Sequence, residues 1–329
     1  MFPRQRHALR LVLPLLLVVV LAGTAVARHD DMADPNPEPA IPALLAAFED
    51  VPVVAIGEAH GLQQAGDFYV ALVQAPGFAD HVNDIVVEWS TPRYQSVLDR
   101  YVNGEDVPPT ELAEVFRNTT KVFAWESPIY PRLLQAVREL NRSLPAEKRV
   151  RVLGGDAPID WSQVKNYRQW NHFQPNNKAF ADVITTQVLD RHRHALVILG
   201  SNHLTRGGDR WGSADVTTML EKRYPHATRV VLLASSWSFG MDPDLMHNWP
   251  VPSLAATSGK WASRISFDRG SLKDSGDAVL YLGQDLNEAQ PDWKSLTPAY
   301  LREIDRRSRI EWGCPFDVNR WRRNLGPCG

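Results

Sequence analysis

The chain has 329 residues, 44% of them apolar, with 36 basic and 38 acidic side chains and two cysteines. That balance excludes a disordered segment, a collagen-like repeat and a disulfide-dense miniprotein. The formal charge of −2 is spread along the chain, and no basic run alternates with aromatics, so nucleic acid is not an expected partner.

In chain order, residues 1–27 come first: Arg4, Arg6 and Arg10 precede an apolar run from Leu11 to Ala22, and Ala25-Val26-Ala27 closes it. This reads as a secretory signal peptide with a small-x-small cleavage site. About a dozen apolar residues with a proline among them fall short of the ~20 that a spanning helix needs. No stable membrane span is therefore expected, and the product is placed outside the cytoplasm, secreted or periplasmic. Its removal leaves a formal charge of −5 on the mature chain. Residues 28–49, with Pro35, Pro37, Pro39 and Pro42, read as a flexible leader. Residues 50–329 are then a single domain.

Within that domain, apolar runs rich in Val, Ile and Leu recur: 51–56, 84–87, 150–153, 195–199, 230–234 and 278–282. Continuous rather than alternating apolar residues predict strands buried on both faces. Amphipathic stretches intervene at 64–73, 92–102, 129–144, 177–193, 214–224 and 298–308; in the third, Leu133, Leu134, Val137 and Leu140 share one helical face. Strand alternating with helix predicts an α/β fold with a mostly parallel sheet flanked by helices. Cys314 and Cys328, in an exported protein, are expected to form a disulfide. By the chain-entropy account, closing a loop of that size contributes about 3 kcal/mol.

The unusual polar residues stand directly after the apolar runs: Gly57-Glu58-Ala59-His60-Gly61, Glu88-Trp89-Ser90, Gly154-Gly155-Asp156 and Gly200-Ser201-Asn202-His203. In a parallel sheet the strand C-termini open on one edge, where ligands bind in open α/β folds. Two segments share the form strand-Gly-x-x-His, in which a glycine lets the backbone leave the strand sharply. His60, Glu58, Glu88 and His203 are the candidate catalytic residues. Arg93, Trp89 and Asp156 are candidate substrate contacts, although Asp156 also reads as the start of the turn into Pro158.

The Gly57–Gly61 segment resembles the G-E-x-(x)-H-G segment of erythromycin esterase-like proteins. The paired Gly-x-x-His motifs are similar to those of the wider superfamily joining these esterases, the haem-binding ChaN lipoproteins and the Tiki/TraB proteins. The resemblance covers roughly residues 50–283 and implies one cleft holding His60, Glu58, Glu88 and His203. Asn176-Asn177-Lys178-Ala179-Phe180-Ala181 departs from the esterase R-D-x-x-M-A helix, which argues against a macrolide ester as the substrate.

Such a set of imidazoles and carboxylates supports two chemistries. A histidine made basic by a carboxylate activates water against an ester or amide carbonyl, with His60 as base and His203 stabilising the oxyanion or the leaving group. Alternatively His60, Glu88 and His203 ligate Zn, Mn or Fe. No Gly-x-Ser-x-Gly elbow and no dinucleotide fingerprint occur. The expected partner is a small-molecule substrate or ligand. The expected function is an exported hydrolase, with an envelope haem- or iron-binding protein of the ChaN type as the alternative.

Overall fold

The computed structural model describes residues 35–174, 176–208, 212–235, 246–267, 270–284, 286–294, 296–323 and 325–328. The expected signal peptide lies outside them. Eight strands form one sheet: β1 (Glu38–Pro39), β2 (Val53–Glu58), β3 (Asp84–Val87), β4 (Arg151–Gly154), β5 (Ala195–Gly200), β6 (Thr228–Leu233), β7 (Ser253–Ala256) and, after a separate two-stranded sheet of β8 (Ser266–Phe267) and β9 (Gly270–Ser271), β10 (Ala278–Tyr281). Their spatial order is β1-β7-β10-β6-β2-β5-β3-β4. From β10 to β4 every pairing is parallel; β7 and β1 add an antiparallel edge.

The helices that flank the sheet include α1 (Ala40–Ala47), α2 (Gln63–Val73), α3 (Phe78–His81), α4 (Gln95–Val102), α5 (Pro109–Arg117) and α6 (Ile129–Arg142). They continue with α7 (Tyr167–Asn171), α8 (Asn177–Gln187), α9 (Ser201–Leu204), α10 (Val216–Glu221), α11 (Leu272–Ser275), α12 (Pro298–Glu311) and α13 (Val318–Trp321). Successive strand residues point to opposite faces, so the central strands feed two cores at once. Val54, Ile56, Ile85, Val87, Leu196 and Ile198 pack against α1, α2, α4 and α6. Val53, Ala55, Val86, Val197 and Leu199 pack with Phe180, Ile184, Val216 and Leu220 of α8 and α10. Each fully buried aliphatic side chain contributes about 1.5–3 kcal/mol, which is why these strands are Val/Ile-rich throughout. A third, aromatic cluster joins Phe123, Trp161 and Trp170 to α12 and the C-terminal segment.

The sequence expectation of a mostly parallel α/β domain holds, with three changes. The folded domain starts earlier than residue 50: β1 pairs with β7, and Ala40, Leu44 and Leu45 are buried in the first core. Proline density in 35–42 misled there, because Pro42 falls in the first turn of α1, where a missing N–H costs nothing. The antiparallel strand β7 was not foreseen; it is a short stretch, Ser-Leu-Ala-Ala, with little β-branched signal. Finally, β2 runs on to Glu58 and β5 to Gly200, so both motif glycines lie within strands.

Candidate functional site

β2, β5 and β3 are adjacent, in register with Glu58 beside Gly200 and Val87 beside Ile198. This parallel register carries residues far apart in sequence to one sheet edge. The Glu88 carboxylate, one residue beyond β3, accepts from the Gly200 N–H at 2.6 Å through Oε2. Its other oxygen, Oε1, faces two imidazoles: His203 Nε2 at 3.3 Å and His60 Nε2 at 3.8 Å. That oxygen is fully buried and has no well-aligned hydrogen bond among the described residues.

Each ring nitrogen on the far side is also engaged. His60 Nδ1 lies 2.8 Å from Glu58 Oε1, and His203 Nδ1 lies 2.6 Å from Asn177 Oδ1. The Asn177 amide nitrogen donates to Ser213 Oγ and the Ala214 carbonyl, which leaves its oxygen to accept from His203. Both Nδ1 atoms therefore carry protons, and both Nε2 atoms turn toward Glu88. Glu58 is supported by the Tyr130 hydroxyl at 3.4 Å, and that hydroxyl accepts from the Gly61 N–H at 3.0 Å.

The four predicted catalytic residues thus meet, but on unequal terms. Glu58, Glu88 and His203 are at most 5% exposed, whereas the His60 side chain is 37% exposed. Removal from water pulls the His60 pKa down, but the charges of Glu88 and Glu58 outweigh it and hold it above the usual imidazole value. Burial alone would raise Glu88; His203 and His60 instead draw it down to about 2.

The motif glycines serve close approach. A Cβ on Gly200 would stand 2.9 Å from His60 Cε1 and 3.2 Å from Glu88 Oε2; one on Gly57 would stand 2.9 Å from Ser201 Oγ. The sharp exit from β2 belongs to Gly61, whose φ of +81° suits a residue without a side chain. Likewise a Cβ on Gly154 would fall 2.6 Å from the Thr91 backbone.

The expected substrate contacts are elsewhere. Trp89 is 1% exposed, packed against Phe116 and Tyr130 in the core. Arg93 pairs with Asp160 at 3.1 Å and lines a separate groove with Trp161, Lys165 and Arg306. Asp156 is buried and taken up by the protein: it accepts from the Thr120 and Ala157 N–H groups, the Thr120 hydroxyl and the Asn176 amide. Burial raises its pKa to about 6 against those bonds. It anchors the loop from 118 to 127. His203, proposed for the oxyanion or leaving group, is 5% exposed, with Nδ1 held by Asn177 and Nε2 turned toward Glu88.

What the sequence did not single out is the wall around His60. Trp125 meets the His60 ring edge-on, with centroids 4.4 Å apart, and is held by its indole N–H to Thr119 Oγ1. Beside it a cavity of about 230 Å³ is lined by His60, Phe123, Ala124, Ser127, Pro291, Trp293 and Trp321. Asn177 stood within a segment already compared with the esterases, and a search for a partner to His203 could have found it. The cavity wall has no such signal, since it joins three distant loops. The Cys314–Cys328 disulfide is formed, with Cα atoms 5.8 Å apart, and closes the loop that bears Phe316 and Trp321.

His60, Glu88 and His203 do not make a ligand set for a metal ion as they stand: among the described residues no group of three or more His, Cys, Asp or Glu side chains is spaced to hold one. No described helix is long and apolar enough to cross a membrane.

No protein-family model matches the chain, and no curated protein matches it by sequence. Solved structures do resemble it. A variant of the erythromycin esterase EreC in its open conformation superposes with a TM-score of 0.55 at 12% identity, covering 76% of this chain and 94% of that one. A succinoglycan biosynthesis protein gives 0.53 at 11% identity, covering 77% and 95%. ChaN of Campylobacter jejuni, solved with cofacial haem, gives 0.41 at 13% identity, covering 73% and 90%. In its fold, a mostly parallel eight-stranded sheet with flanking helices, the chain is similar to the erythromycin esterase and the succinoglycan biosynthesis protein.

Proposed function

We propose that the protein is an exported hydrolase that cleaves an ester, or an amide, by water activated at His60. The observation that carries this reading is the exposure of His60 alone among the four residues, at the mouth of an apolar cavity, with a buried carboxylate at each ring nitrogen. With its proton fixed on Nδ1 by Glu58, the neutral imidazole has its lone pair on Nε2, on the side of the ring 3.8 Å from Glu88. It takes a proton from water as the water oxygen bonds to the acyl carbon. The imidazolium so formed stands between Glu58 and Glu88, which stabilise it until it returns the proton to the departing oxygen or nitrogen. His203 and Asn177 hold Glu88 in place. Export rests on the residues 1–27 pattern.

The test is hydrolysis of a panel of small esters by the wild type, His60→Ala and Glu88→Gln. A loss of about 10²–10⁴ in kcat/KM with the circular dichroism unchanged is expected for His60→Ala; unaltered turnover overturns the reading. Metal analysis after reconstitution with Mn, Fe and Zn belongs beside it: near one ion per chain, lost in the His60→Ala/His203→Ala double variant, replaces acid–base activation with metal-assisted hydrolysis. A Soret band on haemin addition that a His60 variant loses, in a protein that hydrolyses no ester, favours haem binding instead.

A further inference from the structure

Four features of the cavity beside His60 define what fits it. The first is size: about 230 Å³. A dry cavity of about 150 Å³ accepts a benzene ring, and pockets that enclose drug-sized ligands run to about 300–1,000 Å³. One ring and a short linker fit; a macrocycle does not. The second is shape and polarity. Phe123, Trp293 and Trp321 supply flat apolar walls, with Phe123 set 5.6 Å from Trp293 and 5.4 Å from Trp321 between centroids. The third is charge. Glu126 and Glu288 line the cavity, and no Lys or Arg does so among the described residues. Glu126 is paired with Arg117 at 3.4 Å, and an anionic ligand would meet Glu288 at the walls and His60, already set between Glu58 and Glu88, as the one lining group able to carry positive charge.

The fourth is rigidity: the loop from 118 to 127, which supplies Phe123 and Ala124 to the wall, is firmly set. Phe123 adopts a φ of 60° that non-glycine residues rarely hold, and its neighbours are fixed by Asp156 at Thr120 and by Glu311 at the Val122 N–H.

We infer that this cavity is the substrate subsite and that it takes the uncharged ester of a compact aromatic group. The inference rests on the hydrolase reading for the word ester, but the cavity's preference can be measured without turnover. Tryptophan fluorescence titration with benzylacetone, a ketone that mimics benzyl acetate and cannot be hydrolysed, is compared with its anionic counterpart hydrocinnamate and with erythromycin. Benzylacetone is expected to bind, and the other two at least tenfold more weakly. Trp321→Ala is expected to weaken benzylacetone at least tenfold, and Trp321→Phe, which keeps an aromatic wall, to recover most of that loss.

Equal binding of hydrocinnamate or erythromycin, or binding indifferent to Trp321→Ala, overturns the subsite. If benzylacetone binds as expected and benzyl acetate is not turned over, the subsite stands and the hydrolase reading falls. If benzyl and plain alkyl acetates are hydrolysed alike, with no effect of Trp321→Ala, the hydrolase reading stands and the subsite falls.

Discussion

The two Gly-x-x-His segments begin as near copies, each following a buried parallel strand, and end with opposite environments. His60 stands at the cleft mouth with a carboxylate at either nitrogen, while His203 is 5% exposed, packed edge-on to Phe180, and closed in by Asn177 and Glu88. The difference arises after the glycines. Gly61 turns the chain outward directly beyond His60, whereas His203 falls inside the short helix α9, whose Ser201 and Leu204 are also buried. One motif thus leaves its imidazole exposed at the cleft and the other buries its imidazole against Glu88. Equal spacing in sequence does not give equal roles.

Separating the two histidines has the largest expected effect. His60→Ala is expected to lower kcat by about 10²–10⁴ with little change in a urea melt. His203→Ala leaves Glu88 buried without its nearer imidazole partner, and is expected to cost about 3–5 kcal/mol of stability in the same melt. If the two variants behave alike in both assays, the contrast fails.

Next in size is Gly200→Ala, which places a methyl group against His60 and Glu88. About 1–3 kcal/mol of destabilisation is expected from the overlap. Because His60 must move, kcat should fall by more than the loss of folded protein explains, a split that single-turnover kinetics and calorimetry measure together.

The pH dependence sharpens the comparison further. As a base His60 works deprotonated, so the kcat/KM profile should rise with pH through a midpoint above the ordinary imidazole value. In Glu58→Gln the midpoint should move down, because the remaining effect of burial opposes the charge. The raised His60 pKa adds stability that is complete below its unfolded value and is lost as pH rises through the folded one. Glu88 works in the opposite sense: drawn down to about 2, it adds stability above its unfolded value that is lost as pH falls toward 2. Melts across acid pH should show a smaller loss in Glu88→Gln than in the wild type, the remainder coming from other carboxylates held low, such as Asp67, Glu303 and Asp305.

The smallest effect on turnover is expected at Asn177→Ala, which removes the hydrogen bonds to the buried His203 imidazole, to Ser213 and to the Ala214 carbonyl. About 1–2 kcal/mol of stability should go, with KM unchanged; a large KM effect would place Asn177 in the cleft instead of behind it.

Much of the scaffold was legible because burial on both faces of a parallel strand demands an unbroken apolar run. The segments 84–87 and 195–200 were found almost to the residue. α1 was not, since its prolines suggest an extended chain until one sees that they flank or open the helix. Glu58, His60, Glu88 and His203 were legible for the same topological reason, their places at strand ends. Trp89 and Arg93 were misjudged on that very criterion: closeness to a strand end does not say whether a side chain turns to the cleft, the core or a neighbouring groove.

The sequence by itself determined the alternation of strand and helix, the four residues at the sheet edge and the cysteine pair, because each depends on local composition or on order along the chain. Only the tertiary structure decided which histidine is exposed at the cleft, that Asp156 anchors a loop, and that Phe123, Ser127, Trp293 and Trp321 make one wall. Those outcomes depend on distances between loops with no shared periodicity, set by how the aromatic cluster and the Cys314–Cys328 loop pack against the sheet's edge.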